Sequence, residues 1–367
     1  MEKAKIDGLQ LFILIFLFEM GSAIVLTLGG QAKQDAWMTI LGGLLGGLLL
    51  FLVYHRLYLY FPGKTLATYV QDLLGTFVGK VIGFVYVIYF LYLAARVLRD
   101  FGELVATFAY PDTPVLIINA IMMATILYAL NKGIEVIART SELSFVALYL
   151  LAVSGFILVV ISGLIKLENL QPMLENGIRP VLKTIVTQTM YVPFGEIVVF
   201  TMLLPYLNKP EKGKIIGLTA ITLSGINLTI VSVVNVAVLG VDGFSRATFP
   251  LLATIQLIEV ADFLERLDIF FLIALVIGGF IKVSLCLYAA SIGIAEIFRI
   301  SDYKKLLYLL VPILIIASLS IADNFFEHMK EGLDLVPLVL HLPLQVVIPI
   351  FLLIIAFFKN RKKQKNR

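Results

Sequence analysis

Long apolar runs recur along this chain, and they limit its fold more than any other feature. Ten can be drawn, at about 8–29, 36–54, 81–107, 114–130, 143–164, 183–204, 214–240, 267–297, 305–322 and 337–358. Each is close to the roughly 20 residues a helix needs to cross a hydrocarbon layer of about 30 Å. Lipid offers no water to main-chain N–H and C=O groups, so such runs must pair their backbone within themselves, as helices. Charged residues make up only 15% of the chain, leaving no stretch that reads as a separate soluble domain. The expectation is one all-α polytopic membrane domain over 1–367. The first run is too long for a cleavable leader and is not followed by a small-residue cleavage site and a soluble chain, so it is expected to be span one. The single cysteine, Cys286, lies inside span eight and excludes an internal disulfide.

Charge gives the orientation. With the N-terminus on the cytoplasmic side, nineteen Lys and Arg fall in the even-numbered loops and the two tails, against seven on the other side. That bias places both termini in the cytoplasm. Six of the nineteen lie in the tail 359–367, at Lys359, Arg361, Lys362, Lys363, Lys365 and Arg367. Directly after an apolar run, such a tail reads as an anchor at anionic headgroups and not as a nucleic-acid patch. Between spans five and six, "LENLQPMLENGIRPVLKT" (167–184) reads as a folded external loop. The connection 241–266 mixes apolar and charged residues at helical spacing and suggests a helix on the outer surface.

Ten spans divide into two sets of five, at about 8–164 and 183–358. An odd number in each set makes the second enter from the opposite side, the inverted-repeat plan of many transporters. In that plan a break in span six should have a counterpart in span one. Span six carries Pro193 and Gly195 followed by Glu196, and span one reads "LFILIFLFEMGSAIVLTLGG", with Gly21, Ser22 and Ala23 behind Glu19. Proline removes a main-chain donor, and glycine loosens the helix beside it. Both interruptions fall well inside the bilayer, so discontinuous helices 1 and 6 are expected, with a binding site between them.

Broken helices expose amides that hold a carboxylate and carbonyls that hold a cation. Gly21, Ser22, Ala23, Phe194, Gly195 and Glu196 would line a site suited to a small zwitterion, with Phe194 as a wall or lid. Glu196 can bind an amine, exchange a proton, or cap unpaired amides. Glu19 is a second candidate if it does not point into a helix interface. Lys282, 15 residues into span eight, is too deep to snorkel and must face a partner. Either its ammonium replaces a coupling sodium ion and titrates, or it is a static salt bridge to span one or six. Span three carries Arg96, Arg99, Asp100 and Glu103, and the spacing lets Arg96–Asp100 and Arg99–Glu103 pair along one helix as an external cluster.

The glycine-rich "LGGLLGGLLL" (41–50) has no strand before it and reads as a close-packing helix face, not a phosphate loop. His55, His328 and His341 are scattered near membrane edges, and no HExxH pair is present. The chain is therefore not expected to be an enzyme or to carry a metal or cofactor.

"NKGIEVIARTSEL" (131–143), "LQPMLENGIRPVL" (170–182) and "PFGEIVVFTMLLP" (193–205) resemble the spore germination permease family, within the amino acid–polyamine–organocation transporter superfamily. The resemblance implies a LeuT-like fold and a B-type subunit of a germinant receptor in the inner membrane of an endospore. Such subunits bind small nutrients, often amino acids, and work with a larger A-type membrane subunit and a C-type lipoprotein. It also implies a ligand at the unwound middles of spans one and six, closed by spans three and eight. That adds Val97 and Phe280 by their depth. Gly21-Ser22-Ala23 departs from the Gly-x-Gly common in the superfamily, and Lys282 near the usual cation position favours a sodium-independent mechanism. The alternative function is a proton-coupled amino-acid transporter of the cell membrane, with the same fold and site.

Overall fold

The computed structural model describes residues 5–258 and 267–365. In chain order its α-helices are α1 (Gly8–Met20), α2 (Ala36–Tyr60), α3 (Leu66–Leu74), α4 (Thr76–Phe108), α5 (Val115–Lys132), α6 (Ile134–Ile161) and α7 (Ile178–Thr184). They continue with α8 (Gly213–Arg246), α9 (Pro250–Gln256), α10 (Asp268–Phe298), α11 (Lys304–Ser320), α12 (Phe325–Lys330) and α13 (Ile348–Lys365). Among the described residues there is no strand, only a lone bridge between Ile6 and Leu207. Through it Ile6 N donates to Tyr206 O and Asn208 N to Ile6 O, both at 2.9 Å. The start of span one is thereby tied to the end of span six.

Each of the ten apolar runs contains helix, and among the described residues eight helical segments are long and apolar enough to cross a membrane. The chain is an all-helical integral membrane protein. Span one is helical only over α1, and span nine is α11, joined through a bend of 101° to the segment Phe325–Leu335. The fifth run begins at Ile134, earlier than hydropathy suggested, because Gly133 at φ 103° lets α6 start directly after α5. Of the helix expected over 241–266, α8 runs to Arg246 and α9 supplies one short piece. Residues 259–266 lie outside the described residues.

Local chemistry sets the ends of α1. Asp7 Oδ1 accepts from Gln10 N at 2.8 Å and Gln10 Oε1 accepts from Asp7 N at 3.0 Å, a reciprocal capping box. At the other end Gly21 turns out of the helix at φ −18°, ψ −99°, and its N–H closes on Leu17 O. Residues 21–28 continue as turns, so the expected break is present, but no regular half-helix follows it. Span six changes its winding in the same region. After α7 come a π-turn over 185–189, a turn through Met190–Pro193, and a 3₁₀ segment, Phe194–Met202.

An irregular helix has an uneven surface and needs a partner without side chains. The glycine face of α2 provides it. Added Cβ atoms on Gly42, Gly43, Gly46 and Gly47 would run into Ile185, Thr189, Met190 and Phe194 respectively. The run read as a close-packing face is one, and it cradles the irregular part of span six. On the neighbouring side of α2, Gly217 and Gly225 of α8 lie against Phe51 and Leu44.

These contacts predict an asymmetry between glycines. Gly217→Ala forces a methyl into the Phe51 ring and should destabilise by about 1–3 kcal/mol. Gly155→Ala, on α6 with no atom within 4 Å of the new Cβ, should leave the melting temperature of the purified protein unchanged. Equal melting of the two variants would remove close packing as the explanation.

Candidate functional site

The site is assembled around Lys282. Gly278, one turn earlier on α10, sits against the Gly21 main chain, where a Cβ would come 3.0 Å from Gly21 Cα. This close crossing carries the lysine stem across the break in span one. The side chain is 1% exposed, and its Nζ lies 2.5 Å from Glu196 Oε2 of span six. Nζ also donates to Ser22 Oγ at 3.1 Å and lies 5.0 Å from the centre of the Phe18 ring. An ammonium has three protons. Here it meets a carboxylate, a hydroxyl and an aromatic face, and so is partnered on all sides. Spans one, six and eight are tied at one charge.

Glu19 lies one turn before Ser22, within electrostatic reach of both Lys282 and Glu196. It is fully buried, and neither carboxyl oxygen has a hydrogen-bond partner. It is thus the one intramembrane carboxyl of the cluster not engaged by a side-chain donor among the described residues.

Outward from this cluster is a small cavity of about 40 Å³. Ser22, Val97 and Glu196 form its floor, and Arg96, Asp100 and His341 its polar wall. Met329, Gly332, Leu333 and Val336 cover it. This cover is the folded-back segment beyond the 101° bend, and α4 holds it in place. Arg96 donates to His328 O, His328 Nε2 pairs with Asp100 Oδ1 at 2.8 Å, and Gln31 Nε2 donates to Asp334 Oδ1 at 2.9 Å. Such a volume has room for a water or two, well below the roughly 300–1,000 Å³ of small-molecule pockets. In this conformation the cavity is too small to hold an amino acid.

Deeper in the protein, Gln345 Nε2 donates to Tyr89 Oη at 2.7 Å. The Tyr89 hydroxyl and His341 Nδ1 share a further hydrogen bond, also at 2.7 Å. Tyr54 Oη donates to Gln345 O at 2.5 Å. On the far side of the span-one break is a larger apolar cavity of about 340 Å³, lined by Met20, Gly21 and Ile24 with α6, α8, α9 and α10.

Of the residues singled out in the sequence, Ser22, Glu196 and Val97 line the small cavity and Lys282 joins them. Gly21 is the crossing point with α10. Ala23 is buried but lines neither cavity. Phe194 is not a wall or lid: it is fully buried and packs on Gly47 of α2. Gly195 makes room for the Gln345 side chain. Phe280 lines neither cavity. Two residues from Gly278 on a helix of 3.6 residues per turn, it points to the opposite side.

Arg99–Glu103 closes at 2.8 Å as expected. Arg96–Asp100 does not, because His328 offers each of them a better-placed partner from the folded-back segment. His328 and His341 are therefore buried at the site and not scattered near membrane edges. The broken main chain is also less open than expected. Gly195 N bonds Tyr191 O at 3.1 Å, Glu196 N bonds Pro193 O at 3.0 Å, and Val25 N bonds Ser22 O at 3.2 Å. Tight turns pair these amides again, and side chains carry the polar chemistry.

Removing one member of a buried ion pair strands the other, at a cost of about 3–5 kcal/mol. Lys282→Met, which leaves Glu196 buried without its cation, should lower the melting temperature strongly, and Glu196→Gln should lower it as well. The double variant should be less destabilised than their sum; strict additivity would mean that the two side chains do not form one pair.

Comparison with known proteins gives the family and the fold. Residues 5–326 match the family model described as spore germination protein. The chain is 48% identical to "Spore germination protein KB" of Bacillus subtilis (strain 168), over 100% of this chain and 98% of that protein. It is 27% identical to "Spore germination protein YndE" of the same strain, over 98% of each. Among solved structures, MhsT in complex with L-phenylalanine superposes with a TM-score of 0.68 at 14% identity, covering 97% of this chain and 99% of that one. At that identity the likeness is one of fold. Taken with the match along most of its length, the chain belongs to the spore germination permease family.

Proposed function

We propose that this protein is the B-type subunit of a germinant receptor that binds a small nutrient, an amino acid, in the cavity between spans one, three and six. The observation that carries the reading is Glu196 and Ser22, brought together from two interrupted spans onto the lining of one small cavity. A carboxylate at that depth suits an ammonium. Arg96 on the opposite wall suits a carboxylate once the cover lifts from it. Spacing and composition of the cavity thus match a zwitterion, and MhsT, which shares the fold, was solved with L-phenylalanine.

In this reading the chain is one transmembrane unit of ten spans. Two inverted repeats of five, at about 8–164 and 183–358, bring spans one and six together, and both termini face the cytoplasm. It resides in the inner membrane of the endospore and signals through an A-type membrane subunit and a C-type lipoprotein. It carries no catalytic residue, metal or cofactor. A ligand that binds the open and occluded forms unequally shifts their balance, and that shift is the signal. Proton-coupled amino-acid transport is the second reading, favoured by the buried Glu196–Lys282 pair.

Purified protein in sealed vesicles separates the two. With radiolabelled L-amino acids, the receptor reading predicts saturable binding without accumulation. Val97→Phe, which fills the cavity, should weaken that binding at least about tenfold. Uptake driven by a proton gradient would establish the transporter, and unchanged affinity in Val97→Phe would place the ligand elsewhere.

A further inference from the structure

The pair that makes the site attractive to an amine also blocks it. Glu196 Oε2 is held by Lys282 at 2.5 Å. Asp100, the other carboxylate lining the cavity, is held by His328. An incoming ammonium would find no free carboxylate. If it approached Glu196 beside Lys282, two like charges would lie a few ångströms apart in a medium that screens them poorly. One of them must leave.

The structure contains a destination. Glu19 is fully buried, both its oxygens lack a donor, and it stands one turn from the Ser22 hydroxyl that already binds Lys282. An unpartnered buried carboxyl is where a positive charge gains most. Lys282 already interacts electrostatically with Glu19, and its flexible four-carbon stem lets the ammonium swing about its anchor on α10. The neighbouring apolar cavity, which borders Met20 and Gly21, leaves room for the end of α1 to adjust.

We infer that Lys282 is a tethered stand-in for the ligand amine, seated on Glu196 in the empty protein and transferred to Glu19 when an amine-bearing ligand takes Glu196. The inference rests on the proposed amino-acid site and adds the means by which occupancy reaches the fold. The ion pair that ties span eight to span six is exchanged for one that ties it to span one. Ligand binding then changes which helices are linked, not merely the contents of a cavity. Glu19 is in this scheme a positioning residue: it acts on the ligand only by accepting Lys282.

Two measurements test it, and the first needs no ligand. Glu19→Gln is isosteric and removes no bond from the empty protein, so alone it should leave the melting temperature within about 1 °C of wild type. In the Glu196→Gln background Lys282 must sit on Glu19, so adding Glu19→Gln should lower melting by a further 5 °C or so. Additive effects would overturn the second seat. The other measurement compares equilibrium binding of the tightest ligand found among the twenty L-amino acids. Glu19→Gln should weaken it about tenfold or more, by denying Lys282 its destination. Unchanged affinity would show that the ligand does not displace Lys282, overturning the exchange. If wild type binds no amino acid, the proposed function fails on that arm, while the thermal cycle still decides whether Glu19 accepts the lysine.

Discussion

A charge inside hydrocarbon has to be partnered on every side, and much of this architecture follows from meeting that demand for one lysine. Lys282 sits too deep to reach either interface, and a translocon-based cost of about 2.5–3.5 kcal/mol for a lysine at a helix centre must be offset locally. The offset comes from Glu196, Ser22 and the Phe18 ring. Those groups belong to the two spans whose helices are interrupted. The requirement to satisfy one ammonium therefore coincides with the requirement to place two breaks side by side.

The breaks make their own demands. A segment that passes from α to π to 3₁₀ winding within about twenty residues cannot present an even ridge to a neighbour. The glycines of α2 accept it without side chains of their own. The segment beyond α11 then folds back over the outer end and is fastened to α4 by Arg96, Asp100 and His328. What results is a polar cluster sealed below by tight packing and above by a cover with few attachments.

Much of this was legible in the residues because membrane interiors make exceptions conspicuous. Lys282, Glu196, Pro193 and the glycines of 41–50 stand out in apolar runs: the two charges pair with each other, span six leaves the α-helix around Pro193, and the glycines take its irregular surface. What could not be read was direction. Phe194 lies in a stretch without a fixed 3.6-residue period, so no count along the sequence says which way it points. Depth along span eight singles out Phe280, but two residues of rotation turn it away from Lys282, and it lines neither cavity. His328 and His341 carry no local sign of their role. Their place at the site depends on a 101° bend between α11 and the next segment, and a polar residue near a membrane edge looks the same whether the chain turns away there or folds back. The free amides expected at the breaks were lost for a related reason: proline and glycine announce the end of an α-helix but not the tighter turns that replace it.

The most direct test of the central claim is a side-chain-resolution cryo-electron microscopy map of the ligand-free protein in a lipid nanodisc. The account predicts that α1 stops at Met20, that span six unwinds around Pro193, and that Lys282 density runs to Glu196 and Ser22 between them. A map in which spans one and six are continuous α-helices, with Lys282 directed away from both, would contradict it.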